Sequence, residues 1–274
     1  AQVLVLDPRG RFLVGASLFG AAVISIDGQI RELPADGHRT DIGSIAISPD
    51  GRFAAGCLGG GTEDTAIRVW DLEANTVRYL EGSEGGSYSA VQFAPDGSLI
   101  SGDVDGTVKR WNLQDGAGTE LATGRGIVYA LESTRDGRQL FVLRTSEWNC
   151  LGKTWTSELT CYDLVTPAMR VITTHGNRIL GIALDPAATF LATTGPEGLT
   201  RVGPITGEEP HLLPAPISGW PVAVSPDGKW IAAGDSKGPN VYLWRVPQGR
   251  PFHSLPRAEF LERAQALTYL RVVP

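Results

Sequence analysis

The sequence predicts an all-β chain made of six repeats, each a small antiparallel sheet, and two independent registers carry that prediction. The first is a hairpin, clearest in Ile45-Ala46-Ile47-Ser48-Pro49-Asp50-Gly51-Arg52-Phe53-Ala54-Ala55-Gly56. Alternating apolar residues suit a half-buried strand. Pro49 presets φ for a turn, Asp50 can bond its own backbone, Gly51 tolerates positive φ, and a second apolar strand follows at once. The unit returns at Pro95-Asp96-Gly97 and Pro226-Asp227-Gly228. Weaker copies stand at Asp7-Pro8-Arg9-Gly10, Arg135-Asp136-Gly137 and Asp185-Pro186-Ala187-Ala188. The closing positions 10, 51, 97, 137, 188 and 228 step by 41, 46, 40, 51 and 40.

The second register is a third strand after each hairpin, marked by Trp70-Asp71 in one repeat and Trp111-Asn112 in the next. Its marked positions 26, 70, 111, 162, 203 and 244 step by 44, 41, 51, 41 and 41, in time with the hairpins. Strands are expected near 22–27, 66–71, 107–112, 159–164, 199–203 and 241–245. A short fourth strand is expected after each, around Val77–Leu80, Val171–Ile172 and Phe252–Leu255. Four antiparallel strands repeated radially bury sheet faces and limit free edges, which is a β-propeller. The expected division is a propeller over 1–255 and an extension over 256–274. In that extension Phe260, Leu261, Ala264 and Leu267 space an amphipathic helix begun by Pro256.

Composition narrows the function classes. With 42% hydrophobic and 20% charged residues, the chain is ordinary for a globular core. Its net charge of −6 disfavours nucleic acid, and no transmembrane run or signal peptide stands out, so no membrane contact is expected. The chain starts at Ala1 inside a strand, so it is taken as a piece of something longer. Of the three cysteines, Cys57, Cys150 and Cys161, either all are reduced thiols or Cys150 and Cys161 pair; the low count suggests a reducing, cytoplasmic setting.

Gly37-His38, Ile42, Ile45, Ser48-Pro49-Asp50-Gly51 and Trp70-Asp71 together resemble a WD-repeat unit, and the likeness runs to about Pro251. The resemblance implies a blade braced by a hydrogen-bonded His, Ser or Thr, Asp and Trp. Carried over, the second repeat offers His38, Asp64 and Trp70 but has Ala55 at the hydroxyl position. The third offers Ser101, Asp105 and Trp111, with Glu84 where the histidine would be. The fifth offers His175, Thr193 and Glu197, with Gly203 in place of tryptophan, and Trp244 marks the sixth. Six blades are visible; the family more often closes with seven, which would place a further blade upstream of Ala1. The tail from Leu255 to Pro274 is similar to the end of WD-repeat regions in bacterial multidomain signalling proteins, many with an upstream serine/threonine kinase. That implies a fused kinase or NTPase module.

No catalytic, metal-ligating or cofactor-binding pattern emerges: the four histidines are scattered, and Gly59-Gly60-Gly61 lacks the helix and lysine of a phosphate cradle. The one irregularity is a surplus of about ten residues in the fourth repeat, from Arg144 to Ser157, carrying Trp148 and Trp155. Loops between second and third strands share a face with the entry to each first strand. This makes Trp148, Lys153, Trp155, Trp220, Tyr88 and Arg178 a candidate partner-binding face, with Lys153 and Arg144 adding local positive charge. Alternatively both tryptophans fold back onto their own sheet. The expected function is a non-catalytic scaffold holding a protein or peptide. The competing one is a propeller enzyme or small-molecule sensor with a ligand in its channel.

Overall fold

The computed structural model describes residues 3–17, 20–34, 42–58, 66–80, 88–146, 156–176, 178–214, 221–234 and 240–259. The fold is an all-β propeller of six blades. In the first blade β1 (Val3–Leu6), β2 (Phe12–Ser17), β3 (Gly20–Ser25) and β4 (Ile30–Glu32) pair in sequence order. The second holds β5 (Ile42–Ile47), β6 (Phe53–Leu58), β7 (Ile67–Asp71) and β8 (Thr76–Leu80). The third holds β9 (Tyr88–Phe93), β10 (Leu99–Asp103), β11 (Val108–Trp111) and β12 (Gly118–Ala122). The fourth holds β13 (Ile127–Ser133), β14 (Gln139–Thr145), β15 (Ser157–Asp163) and β16 (Met169–Val171). These four lie in one compact unit, Ala1–Val171.

A second unit, Ile172–Pro274, holds the other two blades. The fifth is β17 (Gly181–Leu184), β18 (Phe190–Thr194), β19 (Leu199–Pro204) and β20 (His211–Pro214). The sixth is β21 (Val222–Val224), β22 (Trp230–Gly234) and β23 (Val241–Arg245). Here the sequence expectation fails in one detail. Phe252–Ser254 is a 3₁₀ turn rather than a fourth strand. Pro247, Pro251 and Pro256 punctuate this stretch, and proline removes the amide that a ladder needs. Of the expected tail helix, Arg257 to Glu259 are helical, and the remainder lies outside the described residues.

Five of the six first hairpins are closed by the same hydrogen-bond device, while the third, with Ala94 at that position, keeps only the backbone bond from Gly97. Gly51 N–H donates to Ser48 O at 2.8 Å, and Phe53 N–H to Ser48 Oγ at 2.8 Å. The Ser48 hydroxyl in turn donates to Asp50. Thr134 and Ser225 repeat the arrangement. Asp7 and Asp185 perform it with a carboxylate. The closing residues all take positive φ, from 67° to 82° at the five glycines. Ala188 is held there too, at 52°, although its Cβ disfavours it.

The core lies between facing sheets. Val14, Ala16, Ile42, Ile45 and Trp70 fill the space between the first two blades, while Cys57, Ile67, Tyr88, Val91 and Trp111 fill the next. Trp70 and Trp111 are both 2% exposed, so each third-strand indole is a wedge in such a seam.

Candidate functional site

The bracing residues form fragments rather than complete sets. Trp111 Nε1 donates to Ser101 Oγ at 2.8 Å, and both are buried. Asp105, the acid expected beside them, is exposed; the buried Asp103 instead accepts the Asp105 and Thr107 amides at 3.0 and 2.8 Å, capping its own turn. Trp70 finds no hydroxyl at Ala55 and donates to Pro34 O at 2.9 Å. In the fifth blade His175 Nδ1 meets Thr193 Oγ1 at 2.9 Å, and the ring packs over Gly203, the position without a tryptophan. Burial, then the charge of Arg201, lowers the His175 pKa to about 4, so the ring is neutral. Glu197 turns away to pair with Arg201 at 3.8 Å. Trp244 packs half-buried against the fifth blade beside Ile231. His38, Asp64 and Glu84 lie outside the described residues.

At the insertion, β14 and β15 pair without a break from Gln139↔Asp163 to Thr145↔Ser157. Ser146 N–H donates to Thr156 O at 2.8 Å and Thr156 N–H to Ser146 Oγ at 2.9 Å, closing the base of the loop. Trp148, Lys153, Trp155 and Trp220 lie outside the described residues. Two of the neighbours expected on this face are corrected. Tyr88 is buried, its ring edge-on to Trp111 with centroids 5.9 Å apart, so it offers no surface to a partner. Arg144 is 2% exposed and gives the loop no charge. Its guanidinium donates to Gly106 O twice at 3.2 Å and to the Tyr162 hydroxyl at 3.0 Å, tying the fourth blade to a turn of the third. Arg178 is half-buried. Cys57 and Cys161 are free buried thiols, so Cys161 makes no bridge, and burial pushes the Cys57 thiol up to about 12.

The opposite ends of the strands, which carry the hairpin turns, bear clefts that sequence reasoning missed. One of about 360 Å³ lies between the first and second blades, lined by Arg9, Arg11, Arg31, Asp50, Arg52 and Glu73. A second of about 640 Å³ lies between the second and third, sharing Asp50 and Arg52 and adding Arg110. Gly51 lets the first two turns pack closely beside this cleft. A Cβ there would stand 2.1 Å from the Arg11 guanidinium and 2.3 Å from the Asp7 carboxylate, which together nest against the second turn. Arg11 pairs with Asp7 at 2.9 Å and Arg52 with Asp71 at 2.9 Å. The Arg11 hydrogen bond holds the Asp7 carboxyl below its ordinary pKa, against the opposing effect of burial. The signal that could have found this cleft is the run of turn arginines at the same repeat offset, Arg11 and Arg52.

Among the described residues no group of three or more His, Cys, Asp or Glu could hold a metal ion, and no helix is long and apolar enough to cross a membrane.

Turn-capped four-stranded sheets with an indole wedged between neighbours define a propeller of the repeat type. Residues 28–71, 74–112 and 218–245 match the family model described as WD domain, G-beta repeat, so these three segments carry the WD40 repeat pattern. It is similar to the periodic tryptophan protein 2 homolog of Schizosaccharomyces pombe, 28% identical over 164 residues, covering 58% of this chain and 18% of that protein. It is similar to the ribosome biogenesis protein WDR12 homolog of Drosophila yakuba, 34% identical over 111 residues, covering 33% of this chain and 25% of that protein. Human apoptotic protease-activating factor 1 is 24% identical over 199 residues, covering 69% of this chain and 15% of its own length. The chain therefore spans a quarter or less of each of these relatives.

Proposed function

We propose that the chain is a non-catalytic docking module that holds a protein or peptide at the insertion between β14 and β15. The observation that supports this reading is the closed base at Ser146 and Thr156, two positions that bracket nine residues of sequence containing Trp148 and Trp155. Ordering the base lowers the entropic cost of presenting two aromatic anchors, and tryptophan is enriched among residues that dominate interfaces. WD40 repeats and the much longer relatives support a role as one part of a larger protein.

The experiment is capture of a partner from lysate, followed by its identification and titration against the pure chain. Trp148→Ala with Trp155→Ala should leave the melting temperature unchanged and weaken the identified partner about thirtyfold, the effect of losing about 2 kcal/mol. Unchanged binding by a folded double variant rejects this face, and unfolding of the variant assigns the tryptophans to the core.

The setting we propose is a cytoplasmic bacterial signalling protein with a kinase or NTPase module upstream. Its support is the similarity of the tail, Leu255 to Pro274, whereas the relatives named above come from yeast, fruit fly and human. The full-length reading frame tests it: no kinase or NTPase segment before residue 1 rejects the fusion.

A further inference from the structure

The first hairpin turn differs from the others at the residue before its closing position, where it alone carries a cation. The residue before the closing position is Asp50, Asp96, Asp136 or Asp227 in four repeats, Ala187 in the fifth, and Arg9 in the first. In those four turns that aspartate caps the hairpin, accepting a backbone amide two residues on. In the first turn Asp7 does the capping instead, accepting Arg9 N–H at 3.2 Å and Arg11 N–H at 3.1 Å, with its own side chain fully buried. The carboxylate has moved inward and released position 9 from any local duty, yet the position holds an exposed arginine. Turn chemistry does not account for it.

Arg9 lines the cleft between the first two blades together with Arg31. Arg31 is exposed and held across that seam by neutral acceptors, donating to Leu72 O at 2.9 Å and to the Asn75 side-chain carbonyl. Among the described residues neither guanidinium is ion-paired. The other two arginines of the cleft are neutralised by Asp7 and Asp71, and Glu73 stands 3.9 Å from Arg52. Two forked cations with open donors therefore face one cleft on a chain of net charge −6. A planar guanidinium accepts a carboxylate through two parallel hydrogen bonds, and the positioned Arg31 loses little freedom on doing so.

We infer that this cleft is a second docking surface, taking an acidic, carboxylate-bearing peptide segment of a partner between Arg9 and Arg31. It stands at the opposite end of the strands from the insertion and is independent of the tryptophans there. Association is steered by charge and weakens with salt.

The probe is a fluorescein-labelled hexaglutamate peptide followed by anisotropy at low and high salt. The parent chain should bind at low salt and release at high salt. Arg9→Ala with Arg31→Ala should weaken binding about tenfold or more while leaving the circular-dichroism spectrum and melting temperature unchanged. Arg138→Ala, at the fourth blade's turn, should bind as the parent does, as should the Trp148→Ala, Trp155→Ala variant. No binding by the parent overturns the inference. So does equal weakening by Arg138→Ala, which would mean diffuse attraction. A neutral peptide that binds only when serine-phosphorylated, with hexaglutamate inert, would overturn the carboxylate assignment.

Discussion

Trp111 donates its indole N–H to the Ser101 hydroxyl across 2.8 Å, ten residues back on the neighbouring strand of its own blade, with neither group in contact with solvent. The same wedge in the preceding blade, Trp70, reaches the carbonyl of Pro34 instead. One indole depends on a side chain and the other on backbone.

Ser101→Ala should therefore cost about 1–3 kcal/mol by stranding a buried N–H, whereas Trp111→Ala or Trp70→Ala should cost about 3–5 kcal/mol through lost packing. Urea titration measures all three. A Ser101→Ala cost near zero would mean that the indole finds another acceptor.

Arg144 is a structural cation, each of its three guanidinium nitrogens donating to Gly106 O or the Tyr162 hydroxyl. Arg144→Met leaves a buried carbonyl without its donor and should destabilise by about 2–4 kcal/mol. Arg144→Lys should not rescue, because a point ammonium cannot span both acceptors. Full stability in the lysine variant would contradict this.

Ala188 holds φ of 52° where five other repeats close on glycine. An L-residue in the left-handed region pays about 1–2 kcal/mol, and glycine returns about 0.4–1 kcal/mol through the freer unfolded chain. Ala188→Gly should thus stabilise by about 0.5–1 kcal/mol, and Gly228→Ala should do the reverse. Denaturation midpoints of the two variants check the sign.

A half-buried carboxyl and a buried imidazole pull the pH profile in opposite directions. Burial raises the Glu132 carboxyl to about 7, and burial with Arg201 lowers His175 to about 4. Glu132 favours the folded state less as pH rises from its unfolded value of about 4.3 through 7. His175 costs stability as pH falls from about 6.5 through 4. Glu132→Gln should therefore match the parent at pH about 4 and exceed it by about 1–3 kcal/mol at pH about 8. Melting temperatures across that range read the difference, and a pH-independent offset would reject it.

Much of the fold was legible because its signals are local. Pro-Asp-Gly turns and alternating apolar strands placed each marked third strand within two residues of where it lies, Val241–Arg245 included. Proline also explains the miss after it, since the apolar Phe252 and Leu255 suggested a strand that the flanking Pro251 and Pro256 deny. The site was far less legible. Tyr88 sits at a strand entry, which in sequence reads as exposed, but the wedge Trp111 draws it into the seam.

What the sequence alone determined is the repeat: its hairpins, its strand order and the buried indoles, all set by residues within a few positions of one another. The tertiary structure alone decided which polar groups meet. Arg144 and Gly106 are 38 residues apart, Arg31 and Leu72 41, and Arg11 and Asp50 39, about one repeat in each case. Such pairs form only when one sheet packs on the next, so whether an arginine is a buried tie, a neutralised turn residue or an open cation depends on the neighbouring blade. No pattern within a single repeat specifies that neighbour's facing surface.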